Sequence, residues 1–131
     1  VVVHNPNVGE HLLNHYGVGG LIAGSTSATP FLHGFIDASP FMPNDGVRRL
    51  QTIGLTIPLG PFFNGVALSS VLMHPKSRGS VHIVSKDPTI YPSIDLNMFS
   101  DGPVTQPGTD AYLLVSFLKI LQTIAADYGT A

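Results

Sequence analysis

The sequence contains no cysteine, which removes disulfides, thiolate zinc sites and a cysteine nucleophile together and suits either redox compartment. Charge is scarce as well: Asp, Glu, Lys and Arg make up 11% of the 131 residues, less than half of the roughly 25% usual in soluble domains. A small domain has proportionally more surface to solvate, so the deficit predicts surface that is covered by more protein. The formal net charge is −2 and, apart from Arg48-Arg49, the basic residues are dispersed. Without a basic field, nucleic acid is not an expected partner. No apolar run approaches the roughly 20 residues that span a bilayer, so no membrane partner is expected either. The chain opens Val1-Val2-Val3-His4 with neither an initiator methionine nor the basic start of a secretory signal, as though it began inside a longer sequence.

What is present alternates short apolar segments with breakers. Val1 to His4 predicts the end of a buried strand, stopped by Asn5-Pro6-Asn7. A helical turn is expected over Gly9 to His15, a strand over Val18 to Ala23, and another near Phe31 to Ile36. Pro40, Pro43 and Asp45-Gly46 make 38–46 a loop. From Arg48 to Ile57 apolar and polar residues alternate, with Ile53, Leu55 and Ile57 on one face and Thr52 and Thr56 on the other, which predicts a half-buried strand ended by Pro58. Val66 to Met73 and Val81 to Val84 are expected to pair as an antiparallel hairpin through Pro75-Lys76-Ser77-Arg78-Gly79. Ile94, Leu96 and Met98 alternate as a short strand. A Gly/Pro loop follows over 101–108. Thr109 then suits an N-cap, Asp110 the positive end of the helix dipole and Gly129 the C′ position, bounding a helix over about 110–128. Its apolar residues fall in two rows, Ala111, Leu114, Val115, Leu118, Leu121 and Ala125 against Leu113, Phe117, Ile120, Ile124 and Tyr128, so the helix is expected to pack on more than one side.

Isolated constellations point to little chemistry. On a helix, His11 and His15 would share a face at metal-ligand spacing, but Glu10 precedes the pair where a zincin needs its base between the histidines, and no third ligand stands out. No metal is expected. Gly17-Val18-Gly19-Gly20-Leu21-Ile22 begins like a dinucleotide fingerprint and has Ile22 where the last glycine belongs. None of the serines sits in Gly-x-Ser-x-Gly. Asp37, Asp45, Asp87, Asp95 and Asp101 mostly neighbour Pro, Gly or Asn, where turn formation is the default role.

Two stretches together carry a family resemblance. Asn7-Val8-Gly9-Glu10-His11-Leu12-Leu13-Asn14-His15 resembles the segment Gly-Val-Gly-x-Asn/His-Leu-x-Asp-His of glucose–methanol–choline (GMC) flavin oxidoreductases. Val71 to Pro88, through His74-Pro75-Lys76-Ser77-Arg78-Gly79 and Ser85-Lys86-Asp87-Pro88, resembles that family's Pro-x-Ser-x-Gly hairpin and its Ser-x-Asp-Pro tail. Ile94 to Asp101 continues the pattern into a helix. The resemblance implies an α+β fold, an antiparallel sheet backed by helices, with 1–131 as a partial substrate-binding domain. In that family the flavin fingerprint lies upstream of the position of Val1 and the catalytic histidine beyond that of Ala131. It follows that no catalytic residue and no cofactor are expected in this chain alone, FAD belonging to the parent family.

Asn14 and His15 are the positions that the motif match places on the active-site side, with His15 assigned to orientation or hydrogen bonding. Asn14 replaces the usual Asp, and Tyr16 stands where proline is common, so an altered turn is expected. Gly17 and Val18 follow where choline-oxidising relatives tend to carry an acid, which argues against choline. The function expected is a truncated GMC-type protein, inactive alone, of the kind that duplicated genes leave, giant-virus genomes and virion association included. The alternative is a segment of an active FAD-dependent alcohol oxidase or dehydrogenase that transfers hydride from a primary alcohol to flavin. An independent binding module is a third class. The expected partner is the flavin domain or another chain that covers the apolar surface.

Overall fold

The computed structural model describes residues 3–25, 32–36, 46–60 and 63–129. Among them the chain forms β1 (Tyr16–Ser25), β2 (Leu32–Ile36), β3 (Leu50–Gly60), β4 (Phe63–Leu72), β5 (Ser80–His82), β6 (Ser93–Asp95) and α1 (Asp110–Gly129). Strands β1 to β4 make one sheet in the order β1-β4-β3-β2, antiparallel throughout, and β5 and β6 make a separate two-stranded ribbon. The larger sheet has Greek-key order, because β2, β3 and β4 are successive neighbours and β1 returns beside β4. An α+β architecture was expected and is found, with one helix among the described residues where several were anticipated.

Register decides which side chains meet. Tyr16, Leu72 and Leu50 lie in one cross-strand row, Val18, Ser70 and Thr52 in the next inward row, and Gly20, Leu68 and Gly54 in the one after. Helix α1 packs on β4 and β1, so Leu113, Leu114 and Phe117 close over Tyr16, Leu50 and Leu72 as the main core, while Leu121 covers Leu68 beside Ile124. Burying an aromatic or aliphatic side chain of this kind contributes about 1.5–3 kcal/mol.

Strand β3 has the expected period and the opposite sign. Leu50, Thr52 and Gly54 are buried towards α1, whereas Ile53 is half-buried and Leu55 is 46% exposed on the other face. Thr52 is tolerated inside because its Oγ1 lies 3.2 Å from Oγ of Ser70, so two buried hydroxyls satisfy one another. Nor does Pro58 end the strand: it pairs with Asn64, and a register shift follows before Gly60. The side chains of Thr56 and Ile57 lie outside the described residues, as do Val1, Val2 and almost all of the 38–46 loop.

Three further expectations are overturned. Val3 and His4 are exposed and outside any strand. The segment from Gly9 to His15 forms no helical turn; His11 has φ 60°, and Leu12 makes a single antiparallel bridge to Gly79. Strand β5 pairs with β6 and not with β4, both of whose edges are already taken by β1 and β3.

Thr109 does cap α1, its Oγ1 accepting from the Tyr112 N–H at 3.3 Å and its carbonyl from the Leu113 N–H at 2.9 Å. Gly129 is the last helical residue and not the one beyond it. Of the two apolar rows, Leu113, Leu114, Phe117 and Leu121 merge into one buried stripe, with Leu118, Ile120 and Ile124 half-buried at its margins and Val115 exposed.

Candidate functional site

The polar centre of the molecule is Asp110, the first residue of α1 and fully buried. Its carboxylate accepts the Lys76 N–H at 2.8 and 3.0 Å, the Ser77 N–H at 2.8 Å and the Ser77 hydroxyl at 2.7 Å. The Pro75–Gly79 segment has no sheet partner for these N–H groups, and buried backbone donors must find acceptors. The helix N-terminus presents its own carboxylate to them. Asp101 completes the arrangement from the preceding loop: Oδ2 accepts the Asp110 N–H at 2.9 Å, and Oδ1 lies 3.2 Å from the Ser77 hydroxyl. Lys76 donates from Nζ to the Gly108 carbonyl at 2.7 Å, and Arg78 reaches back to the carbonyls of Pro75 and Ser77. One short loop is thereby fastened to the start of the helix.

On its other side the same loop holds the amino-terminal motif. Leu12 and Gly79 exchange backbone hydrogen bonds of 2.8 and 2.9 Å, and the Val81 N–H donates to the Gly9 carbonyl at 2.7 Å. Both glycines are required sterically. A Cβ on Gly9, which has φ +89°, would overlap the Val81 carbonyl oxygen, and one on Gly79 would overlap the Asp95 carbonyl oxygen and crowd Leu96. Asn97, at φ 45°, locks the third side by donating from Nδ2 to the Arg78 carbonyl at 2.9 Å while its N–H is held by Asp95. Glu10 and His82 face each other at 3.1 Å at the rim, each about half exposed. The two stretches that carry the family resemblance are thus in direct backbone contact.

Tyr16 links this clasp to the sheet. Its ring lies in the core, 5.5 Å from that of Phe99, and its hydroxyl donates to the Leu96 carbonyl at 3.4 Å. Burial, followed by the negative charge of Asp110, pushes the phenol above its ordinary value near 10.0, with a hydrogen bond to Ser77 and the charge of Arg78 opposing. The residue that departs from the motif's proline is therefore a core anchor at the start of β1.

Asn14 and His15 lie together, exposed, on the strand-free segment leading into β1. His11 is also exposed, and without a helix the argument for its sharing a face with His15 lapses. Among the described residues no three His, Asp or Glu side chains gather as metal ligands. The acids and hydroxyls that do gather were not singled out from sequence as a group. A Pro-x-Ser-x-Gly loop with unpaired N–H groups needs an acceptor, and that need was the available signal; the helix-start acid supplies it.

Chemically the cluster is closed. Ser77 is buried, and its hydroxyl is directed at the carboxylates of Asp110 and Asp101. Nor do the described residues fit a flavin dinucleotide. Pyrophosphate needs a glycine-rich turn opening a helix N-terminus. Here Gly17, Gly19 and Gly20 are paired along β4, and the first N–H of α1 is taken by Asp101.

Over 40 residues the chain is 46% identical to two proteins of Malassezia sympodialis, "GMC oxidoreductase family protein Mala s 12" and "GMC oxidoreductase family protein Mala s 12.0101". The matched stretch is 30% of this chain and spans 6% of the length of each of those relatives. Neither relative is viral. No family model matches, and no solved structure matches. The similarity supports the GMC family at the level of a short shared segment.

Proposed function

We propose that these residues are a scaffold segment of a GMC-type oxidoreductase, forming part of its substrate-side sheet and carrying no oxidoreductase activity alone. The observation that carries this reading is the clasp: the two motif stretches, distant in sequence, are joined through Leu12–Gly79 and Gly9–Val81, with glycines that admit no side chain. Together with the matched segment in the Malassezia proteins, it supports a shared local architecture.

In this reading hydride transfer from an alcohol belongs to a parent assembly in which a flavin and its base are held elsewhere. Asn14 and His15 lie on the side that faces the reaction, His15 orienting or hydrogen-bonding and not abstracting a proton. The same reading assigns the exposed apolar residues Ile83 and Tyr91, 87% and 89% accessible, and Leu55 on the sheet face opposite α1 to contacts with a flavin-binding domain or another chain. The test is to mix the purified 131-residue chain with FAD and a series of primary alcohols and follow flavin absorbance. No shift and no alcohol-dependent bleaching is the expected result. Bleaching by this chain alone would overturn the proposal and favour a self-sufficient enzyme.

A further inference from the structure

No further inference is drawn: the strongest candidate, the apolar groove between Gly19 and Gly20 of β1 and Leu118, Leu121 and Ala125 of α1, is an unpartnered face, and nothing in the structure shows what covers it.

Discussion

Replacing Asp110 with alanine tests the clasp at its centre. The carboxylate satisfies two backbone N–H groups and one hydroxyl. Each buried donor left unsatisfied costs about 1–3 kcal/mol. The Ser77 hydroxyl can turn to Asp101, whose Oδ1 is already 3.2 Å away, so the buried Ser77 N–H sets the penalty at about 1–3 kcal/mol, and the part-buried Lys76 N–H, which water can reach, adds less. Loss of a negative charge at a helix N-terminus adds about 0.3–1 kcal/mol. Against the roughly 5–15 kcal/mol by which folded domains are stable, Asp110→Ala is therefore clearly destabilising. Asp110→Asn keeps one acceptor oxygen but aims an NH₂ group at N–H donors, and its loss is expected to be smaller. The assay is urea unfolding followed by far-UV circular dichroism, with Lys119→Ala, an exposed helix position, as the control within about 0.5 kcal/mol of the parent. A loss below about 1 kcal/mol for Asp110→Ala, at unchanged denaturant slope, would refute the reasoning.

Three other outcomes follow from the same geometry. Gly79→Ala should force the β5–β6 ribbon apart, costing about 1–3 kcal/mol as overpacking does and accelerating amide exchange along its paired residues Ser80, His82, Ser93 and Asp95; Gly20→Ala, with nothing within 4 Å of the added Cβ, should leave stability unchanged or slightly raised. Thr52→Val should cost about 1–3 kcal/mol by orphaning the buried Ser70 hydroxyl, and the double variant Thr52→Val with Ser70→Ala should recover most of it, the coupling being read from a double-mutant cycle. Because the folded-state value of the Tyr16 phenol is raised, its contribution is fully present below about pH 10 and is lost as pH rises through that raised value; Tyr16→Phe should flatten the alkaline fall in stability, and titration at 295 nm should show one of the phenols ionising late.

Local rules made several elements legible. Turn residues and alternation located β1, β2, β3, β4 and α1 because breakers such as Asp45-Gly46 and Gly108-Thr109 and the period of two or 3.6 are properties of a few neighbouring residues. The failures all required knowledge of what lies across space. The alternation in β3 is visible in sequence, but which face is inner depends on Leu50 meeting Leu72 and on a hydroxyl partner for Thr52 in another strand. The turn Pro75–Gly79 resembled a hairpin connection because Pro and Gly serve one well. Its N–H groups instead go to Asp110, whose proximity to the dipole was legible and whose tertiary acceptor role was not. Similarly, Asn14 and His15 could be marked by motif position, and the sequence held no sign that Tyr16, the next residue, would be buried beneath Phe99.

The placement of the acids sharpens the meaning of the low charge. Two of the eight Asp and Glu residues, Asp101 and Asp110, are turned inward as acceptors for the loop and the helix start. Lys76 and Arg78 direct nitrogens at carbonyls of the same region while staying exposed, so it is the two acids that leave the surface. Fewer charges are left to hydrate the exterior than composition alone suggests, while Ile83, Tyr91 and Leu55 remain exposed. Converting internal charge into loop anchoring is economical for a segment whose outer faces are covered by protein and costly for one that must stay soluble alone. The scaffold reading accordingly predicts concentration-dependent association of the isolated chain; a monomer at all accessible concentrations, measured by sedimentation, would count against the assignment of those apolar residues to an interface.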